Sequence, residues 1–371
     1  MVASKFVISQ LSDLSDIRAL SDLSQVTIIM NSKIFKNDQV LYAIKFAIFS
    51  LKKNGKLVID TRSLANSMTL NSPGKLSFQM LSQMLAIAGV NWGSITVIDP
   101  EKQYIEYRRE RETTENRWSA GVVFSGNRSE VPFLTKCLSG LLIQPELRAS
   151  QDIIVFGPSA AESMLALPLG VKYIGYESEL VCGRFLVGKK KNALVRHLSN
   201  EKIIICHSRI VLEEGALGAM PSDFDMVTPK VEVKTDAGRL SYLDLGFLPN
   251  HFNTLVVDRY PVPIFYERAT WLDYIKNFIP YIDGGVFVIR RELALKIPIH
   301  ETIAWGEGED VEWSKRLLNS GNTLELCLGS VAISQTCKAT TYFNYGHFQT
   351  YRLLLKMRNH LVQVSLQFFR M

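Results

Sequence analysis

The sequence predicts an α/β protein built in two parts, and two observations lead to this prediction. Short apolar stretches typical of buried strands alternate with longer stretches of helical periodicity, both in residues 1–112 and in residues 118–344. Between these two series, residues 108–117 (RRERETTENR) contain no apolar side chain, which is typical of a linker or a solvated edge. We therefore expect a small N-terminal module over 1–112, a linker over 113–117 and a larger domain over 118–344.

Length and composition agree with two soluble domains. The chain has 371 residues, of which 47% are apolar and 21% are charged. No uncharged apolar run reaches the roughly 18 residues of a membrane-spanning helix, and the N-terminal residues lack the long apolar core of a signal peptide. The five cysteines form no C-x-x-C pair, which indicates free thiols in a reducing cytoplasm. The net charge of +6 fits a phosphate-bearing ligand or an anionic membrane surface without deciding between them.

The N-terminal module is predicted to alternate strands and helices. We predict strands at 26–30, 56–59, 95–98 and 104–107, the last two as an antiparallel pair, and helices at 37–51 and 77–88. This order resembles the C-terminal half of a class I methyltransferase fold, a half-Rossmann arrangement. No glycine-rich cofactor loop precedes Val26, so we expect a truncated module that serves packing or partner contact, without cofactor binding.

The larger domain begins with a strand–loop–helix–strand series. We predict strands at 120–124, 152–156, 171–175 and 202–206 and a helix at 131–142, which implies a mainly parallel sheet flanked by helices. Ligands bind at the carboxyl ends of such strands. The turns at 125–128 and 157–159 follow the first two strands and are therefore ligand candidates. Ordinary strand-end turns are the alternative.

A lysine-rich turn precedes the next predicted helix, 193–198. The segment Gly188-Lys189-Lys190-Lys191-Asn192 is a suitable anion site, because backbone N–H groups and the helix dipole favour negative charge there. The alternative is a solvated run of charge, which three consecutive lysines more often form.

The strand 202–206 has a continuous apolar run and ends in His207-Ser208-Arg209. This composition predicts a central strand, so the three side chains should lie at the edge where ligands bind. A guanidinium can neutralise a phosphate through a bidentate contact. A histidine at a strand end is also commonly structural, and that interpretation stays open.

The stretch 280–321 carries the densest set of candidate residues. Asp283-Gly284-Gly285 predicts a turn that allows close backbone approach to a ligand, and an apolar strand follows at 286–289. A loop with Trp305 then leads into a helix whose start holds four acids, Glu307, Glu309, Asp310 and Glu312. Carboxylates beside a glycine turn and a loop tryptophan suit a base that serves a polyhydroxyl substrate. The alternative is that the acids only stabilise the helix N-terminus, by about 0.3–1 kcal/mol each.

This stretch resembles the acceptor-side region of GT-A-fold glycosyltransferases, especially family 2. The resemblance rests on the glycine turn, Trp305-Gly306, Glu309-Asp310 and Arg316, and it extends more weakly back to about Ser119. It implies a transferase of the hexosyltransferase type that moves a sugar from a nucleotide-sugar to a hydroxyl of a glycan or lipid-linked acceptor, in polysaccharide biosynthesis. It also implies inversion of configuration. We expect no nucleic-acid partner.

The resemblance also implies roles for individual residues. Asp310 would be the general base, while Glu309 or Glu307 would bind acceptor hydroxyls or set the pKa of Asp310. The expected acceptor-binding residues are Asp283, Gly284, Gly285, Trp305 and Glu307. The expected donor-binding residues are Ser125, Asn127, Arg128, Lys191, Asn192, His207, Ser208 and Arg209.

Two positions depart from the family pattern. Gly157 stands where an acid is usual, which leaves recognition of the nucleobase open. His207 to Arg209 stand where the family carries Asp-x-Asp, which holds a divalent cation against the diphosphate. We therefore expect no metal site and no required cofactor, with Arg209 neutralising the diphosphate; Mg²⁺ or Mn²⁺ held by acids at 307–312 stays an alternative. A further alternative is an inactive pseudo-glycosyltransferase that binds a glycan or a nucleotide.

Residues 345–371 are predicted to form one amphipathic C-terminal helix. Basic and polar side chains make one stripe, and mainly leucine and phenylalanine fill the rest. Such a helix can lie on a membrane surface, so we expect a cytoplasmic protein with peripheral membrane contact. Docking on the protein itself or on a partner helix is the alternative.

Overall fold

The computed structural model describes residues 5–10, 12–30, 37–62, 78–112, 116–181, 183–235, 238–249, 271–275 and 278–336. The α/β class predicted from the sequence is confirmed, because a five-stranded and a nine-stranded sheet carry helices packed against them. The helix predicted at 345–371 lies outside the described residues.

The N-terminal sheet has five strands in the spatial order β1-β2-β3-β5-β4. They are β1 (Lys5–Ile8), β2 (Leu23–Ile29), β3 (Leu51–Asp60), β4 (Gly93–Asp99) and β5 (Tyr104–Arg109), with helices α1 (Asp13–Arg18), α2 (Asn37–Ser50) and α3 (Phe78–Gly89) between them. The first three strands run parallel, and β4 pairs antiparallel with β5 as predicted. Strand β1 and helix α1 are additions that the apolar pattern does not predict.

Helix α2 is buried on all sides because it lies between the two sheets. Its predicted apolar face, which includes Val40 and Ile44, is buried, and so are its other faces. On one of those faces the Tyr42 hydroxyl donates a hydrogen bond to the Leu324 carbonyl of the second sheet, at 2.9 Å. The core is therefore continuous from the N-terminal sheet into the second sheet.

Buried ion pairs also join the two parts of the chain. The Asp225 carboxylate forms ion pairs with Lys45 and Arg290, each with an N–O distance of 2.9 Å. The Asp223 carboxylate forms an ion pair with Arg109 at 2.7 Å. We call these five residues the seam. Arg109 corrects a prediction, since it belongs to the stretch expected to be a linker or a solvated edge and is fully buried. The domain division at 113–117 stays a prediction.

Strand β11 (Lys202–His207) separates two parts of the second sheet that differ in the direction of their strands. On one side β6 (Trp118–Val123), β7 (Ile153–Gly157) and β8 (Val171–Gly175) form a parallel array with β11. On the other side the strands have mixed directions: β17 (Val286–Arg290), β13 (Met226–Thr235), β18 (Leu324–Ser334) and β12 (Ile210–Leu212), with β14 (Gly238–Ser241) beside β13. The sheet predicted to be mainly parallel is parallel from β8 to β11, and beyond β11 its strand pairs are antiparallel except for β13 with β18, which is parallel.

Helices and short hairpins complete this part of the chain. The helices are α4 (Val131–Leu142), α5 (Pro145–Ser150), α6 (Val187–His197), α7 (Trp271–Tyr274), α8 (Arg291–Lys296) and α9 (Glu309–Asn319). The short strand pairs are β9 (Leu180–Val181) with β10 (Arg184–Phe185), and β15 (Leu245–Pro249) with β16 (Phe278–Ile282). Within the described ranges, no helix is long and apolar enough to cross a membrane.

The strand register brings distant chain segments to one edge of the second sheet. Strands β6 and β11 are parallel, with Val123 opposite His207, so their carboxyl ends coincide. Strand β17 is antiparallel to β11, with Val286 opposite Cys206, so the turn before β17 lies beside the residues that end β11. Residues 283–285 and His207 therefore meet at the edge where open α/β sheets bind ligands.

Candidate active site

The Asp283-Gly284-Gly285 turn is the centre of the site. The Asp283 carboxylate accepts the Gly285 N–H at 2.8 Å, and the Gly285 carbonyl accepts the His207 N–H at 3.0 Å. A Cβ on Gly284 would lie 2.8 Å from Lys191 Nζ, and a Cβ on Gly285 would lie 2.7 Å from Asp283 Oδ1. A side chain at either position would therefore have to displace one of these polar groups.

Asp310 reaches this turn from the first turn of α9. Gly308 begins the helix with φ of +82°, a left-handed conformation that favours glycine. The Asp310 carboxylate accepts the Gly284 N–H at 2.9 Å through Oδ2 and the Val311 N–H at 2.9 Å through Oδ1. Its helical position follows the predicted pattern, but the carboxylate contacts the turn as well as its own helix. Stabilising the helix N-terminus is therefore not its only contact.

Acids crowd around Asp310. Burial, together with the charges of Glu309 and Asp283, raises the pKa of Asp310 to about 7, although the Gly284 hydrogen bond and Lys191 oppose the shift. We call Asp283, Glu309 and Asp310 the carboxylate cluster. At neutral pH, Asp310 is divided between its protonated and ionised forms, which suits a group that accepts a proton.

The three consecutive lysines of α6 have three different environments, because successive side chains on a helix point about 100° apart. Lys189 is partly exposed and pairs with Glu179 at 2.5 Å. Lys190 is buried and donates to the Phe124 carbonyl, at the end of β6, at 2.7 Å. Lys191 is 1% exposed and donates to the Gly284 carbonyl at 2.8 Å. The expected solvated charge run is therefore confined to Lys189.

Asn192 lies beside these lysines but fixes a loop. Its amide Nδ2 donates to the Ile299 carbonyl at 2.8 Å and to Glu301 at 3.0 Å, and its Oδ1 accepts the Ile299 N–H at 3.0 Å. This places Asn192 as a support for the loop that leads to Trp305. Its expected donor contact stays a prediction.

Arg209 presents unsatisfied donors beside the turn. Its Nη1 lies 3.1 Å from His207 Nδ1, while its Nε and Nη2 are shielded from solvent and have no acceptor among the described residues. A Cβ on Gly285 would lie 3.1 Å from Arg209 Nη2, so the guanidinium borders the turn. Ser208 points elsewhere, since its hydroxyl donates to Glu130 at 2.9 Å.

The ends of β6 and β7 form the neighbouring part of the edge. Ser125, Asn127 and Arg128 are exposed there, and Ser125 Oγ accepts the Asn127 N–H at 3.1 Å. At Gly157 a Cβ would lie 2.7 Å from the Tyr173 hydroxyl, so a longer side chain does not fit.

Two residues outside the expected donor- and acceptor-binding sets, Glu177 and Lys190, lie near this edge. Glu177 accepts the Ser159 N–H at 2.8 Å and brings a carboxylate to the end of β7. Burial lowers the pKa of Lys190 to about 8, against the opposing charges of Glu130 and Glu177. The burial of Lys190 follows from the packing of α6 and has no signal in the sequence.

Trp305 stands apart from the turn, on a loop held by the β9–β10 hairpin. Its ring is 43% exposed and stacks on Phe185, with centroids 5.6 Å apart and planes at 15°. The backbone N–H of Trp305 donates to the Phe185 carbonyl at 3.0 Å. Glu307 pairs with Arg184 at 3.3 Å, so its carboxylate belongs to this loop and not to the carboxylate cluster.

The residues present do not fit a divalent cation at the end of β11. Hard cations prefer carboxylate and carbonyl oxygens, whereas His207 and Arg209 stand there, and a guanidinium repels a cation. Among the residues that the structure describes, no three His, Cys, Asp or Glu side chains converge as a set of metal ligands. The site thus brings a cluster of acids and a guanidinium together around one glycine turn.

Comparison of the sequence with family profiles and with curated proteins gives no match. Among solved structures, the fold is similar to GalNAc-T7 with UDP, GalNAc and Mn²⁺, at a TM-score of 0.45 and 12% identity over 66% of this chain and 47% of that one. The matched region therefore spans about half of that protein. Similarity extends to S. aureus TarS with UDP-GlcNAc (TM-score 0.39, 13% identity, 61% of this chain and 62% of that one). The fold is also similar to the T. maritima inositol-1-phosphate CTP transferase (TM-score 0.35, 14% identity, 64% of this chain and 95% of that one). At these scores and identities the similarities carry no inference about activity.

Proposed function

We propose that the chain is a GT-A-type, inverting glycosyltransferase that moves a sugar from a nucleotide-sugar to a hydroxyl of a glycan or glycolipid. The observation that carries the proposal is the meeting of opposite charges at one glycine turn. The Asp310 carboxylate accepts the Gly284 N–H, and the Arg209 guanidinium borders Gly285. Sugar transfer from a diphosphate uses a base at the incoming hydroxyl and a positive charge at the leaving oxygen.

The proposed step is a single displacement. The acceptor oxygen bonds to the anomeric carbon while the bond from that carbon to the diphosphate oxygen breaks. The hydroxyl proton passes to Asp310, and the electron pair of the broken bond leaves with the nucleoside diphosphate. Attack opposite the leaving group inverts the configuration. Because the pKa of Asp310 is raised to about 7, its ionised form is a stronger base than an ordinary aspartate.

Arg209 is the proposed partner of the diphosphate. Buried N–H groups are nearly always hydrogen-bonded, and two nitrogens of Arg209 have no acceptor within the described part of the chain. Phosphate oxygens would supply these acceptors in charge-assisted hydrogen bonds. His207 would orient the guanidinium through Nη1. Ser125, at the neighbouring strand end with Asn127 and Arg128, would contact the nucleoside.

The proposed acceptor side lies between the turn and Trp305. The carboxylates of Asp283 and Glu309 would accept hydrogen bonds from sugar hydroxyls. The Trp305 ring is partly exposed and offers an aromatic surface for a sugar face. Glu307 would act indirectly, because it fixes the Trp305 loop through Arg184.

Replacing the proposed base tests the function. Asp310→Asn keeps the shape of the side chain and an oxygen for the Gly284 N–H, but it removes the proton acceptor. We expect turnover to fall by about 10²–10⁴-fold, measured as release of nucleoside diphosphate from UDP-, GDP- and dTDP-sugars in the presence of oligosaccharide acceptors. Binding of UDP, GDP and dTDP, measured by calorimetry, should be unchanged. Wild-type turnover should rise with pH through about 7, because only ionised Asp310 accepts a proton.

The matched control is Glu312→Gln in the same helix. Both carboxylate oxygens of Glu312 accept hydrogen bonds from Arg316, at 2.5 and 2.9 Å, so turnover should be unchanged. Full activity in Asp310→Asn would place the base elsewhere, with Glu309 next in line. If the wild-type protein binds nucleoside diphosphates but turns over no donor sugar, the result would instead favour a pseudo-glycosyltransferase. The absence of carboxylates at 207–209 is the observation in favour of that alternative.

A further inference from the structure

We infer that Lys191 is a positioning residue for Asp310, acting through the backbone of Gly284, and not a ligand of the donor diphosphate. The inference rests on the proposed function, because Asp310 matters as a base only if the chain transfers a group to a hydroxyl. It reassigns a lysine that the sequence pattern places among the donor-binding residues.

Gly284 is held from both sides by these two residues. Its carbonyl accepts the Lys191 ammonium at 2.8 Å, and its N–H donates to Asp310 Oδ2 at 2.9 Å. The ammonium is 1% exposed and also lies over the Phe287 ring, with Nζ 5.6 Å from the ring centroid. Lys191 therefore fixes the peptide whose N–H fixes the carboxylate.

Charge gives Lys191 a second effect on the same carboxylate. The groups that face Asp310 are Glu309 on its own helix, Asp283 on the turn and Lys191 on α6. The two acids raise the pKa of Asp310, and Lys191 lowers it. Removing the ammonium should therefore leave Asp310 more protonated at neutral pH. Burial raises the pKa of the Tyr281 phenol on β16, and the charges of Asp310, Asp283 and Asp244 raise it further.

The direction of the side chain argues against a donor contact. A Cβ on Gly284 would lie 2.8 Å from Lys191 Nζ and 3.5 Å from Glu309 Oε1, so the ammonium sits on the side of the carboxylate cluster. Lys190, one residue earlier, sends its own ammonium to the Phe124 carbonyl at the end of β6. The lysine nearest the proposed nucleoside side is therefore Lys190.

The test compares three lysine variants with one control. Lys191→Met removes the charge and the hydrogen bond, and Lys191→Gln removes the charge but keeps a donor for the Gly284 carbonyl. Lys191→Arg keeps both. Lys189→Met is the control, because the Lys189 side chain is partly exposed and pairs with Glu179. The Gln variant keeps the test decisive if the Met variant does not fold.

The first readout is the pH profile of nucleoside diphosphate release. In Lys191→Met and Lys191→Gln the acidic limb should move upward by about one pH unit, since an opposite charge within a few ångströms lowers a carboxylate pKa by about 1–3. Lys191→Arg and Lys189→Met should keep the wild-type profile. The affinity for UDP should stay within about twofold of wild type in all four variants. An unmoved profile combined with weakened UDP binding would overturn the inference and make Lys191 a donor ligand.

The second readout does not depend on activity. The Asp310 carboxyl can be titrated by carbon-13 NMR in the free protein, with Asp310→Asn to assign its signal. An upward shift of the Asp310 pKa in Lys191→Gln supports the inference even if the chain proves to have no transferase activity. No shift would contradict it even if the transferase proposal holds. The two proposals can therefore fail separately.

Discussion

Two groups of charges, the buried seam and the partly buried carboxylate cluster, differ in how their charges are paired. In the seam every acid faces a cation: Asp223 faces Arg109, and Asp225 faces Lys45 and Arg290. In the cluster three acids share one neighbourhood with Lys191. Beside the same glycine turn, Arg209 keeps two nitrogens without an acceptor in the described ranges. Charges that each have a partner of opposite sign are typical of structure, whereas crowded like charges and donors without an acceptor are typical of sites that bind or react.

The pKa values of two aspartates express this difference. Burial opposes ionisation of Asp225, but the charges of Lys45 and Arg290 outweigh it and lower its pKa. Burial raises the pKa of Asp310 to about 7, and its acidic neighbours add to the shift. By linkage, the contribution of Asp225 to stability is lost as the pH falls through its lowered pKa. That of Asp310 is present in acid and is lost as the pH rises through about 7.

The largest effect on stability is expected in the seam. Asp225→Asn would leave Lys45 buried without its counter-charge, and it would leave Arg290 with only the half-exposed carboxylate of Glu292. Breaking a buried ion pair by removing one partner costs about 3–5 kcal/mol. We expect the free energy of unfolding, measured by denaturant titration, to fall by that amount. Asp310→Asn should not destabilise the fold comparably, because it removes a charge from an acid-rich cluster.

Asp99→Asn is the control for the seam variant. Asp99 pairs at 3.5 Å with Lys102, whose side chain is largely exposed, and such surface pairs contribute about 0–1 kcal/mol. If Asp225→Asn were no more destabilising than Asp99→Asn, the seam would not be a structural anchor. The contrast with the carboxylate cluster would then be lost.

An intermediate effect is expected at the unsatisfied guanidinium. Arg209→Ala should weaken nucleoside diphosphate binding by about 1.5–3 kcal/mol, the range for hydrogen bonds to charged groups. Calorimetry with UDP and GDP measures this loss. Arg184→Ala is the control, since Arg184 is exposed and pairs with Glu307 on the Trp305 loop. Equal affinities in the two variants would mean that the free nitrogens of Arg209 do not bind the diphosphate.

The sequence predicts the turn, the strand end and the start of α9 because each has a local signal. Two adjacent glycines mark the turn, a continuous apolar run marks β11, and the acids after Gly308 mark a helix start. The turn and the strand end meet because β17 returns antiparallel along β11, and the start of α9 joins them through the hydrogen bond from Gly284 to Asp310.

The directions of the lysines have no local signal. Three adjacent residues of α6 are lysines, and only the packing of the helix distinguishes them. Lys189 lies at the surface, Lys190 contacts the end of β6, and Lys191 contacts Gly284. The expectation that Lys191 contacts the donor came from its place in a motif, which specifies position along the chain and not the direction of the side chain.

The seam could not be predicted either. Arg109 and Asp223 are 114 residues apart, and a charged residue in a polar stretch indicates exposure unless its distant partner is known. The sequence therefore predicted a solvated edge where the structure has a buried arginine. Three backbone carbonyls, those of Ile48, Phe49 and Leu51, also accept hydrogen bonds from Arg109 and complete its burial.

The smallest effect is expected from removing divalent metal. This experiment tests whether Arg209, and not a metal ion, supplies the positive charge of the site. If Arg209 supplies the positive charge for the diphosphate, a chelator should change neither UDP affinity nor donor turnover by more than about twofold, because no step uses a metal ion. The measurement is calorimetry and nucleoside diphosphate release with and without excess EDTA, each repeated after adding Mg²⁺ or Mn²⁺. A loss of activity that Mn²⁺ restores would mean that acids at 307–312 hold a cation when the donor is bound. Asp310 would then be a metal ligand, and Arg209 would have a structural role.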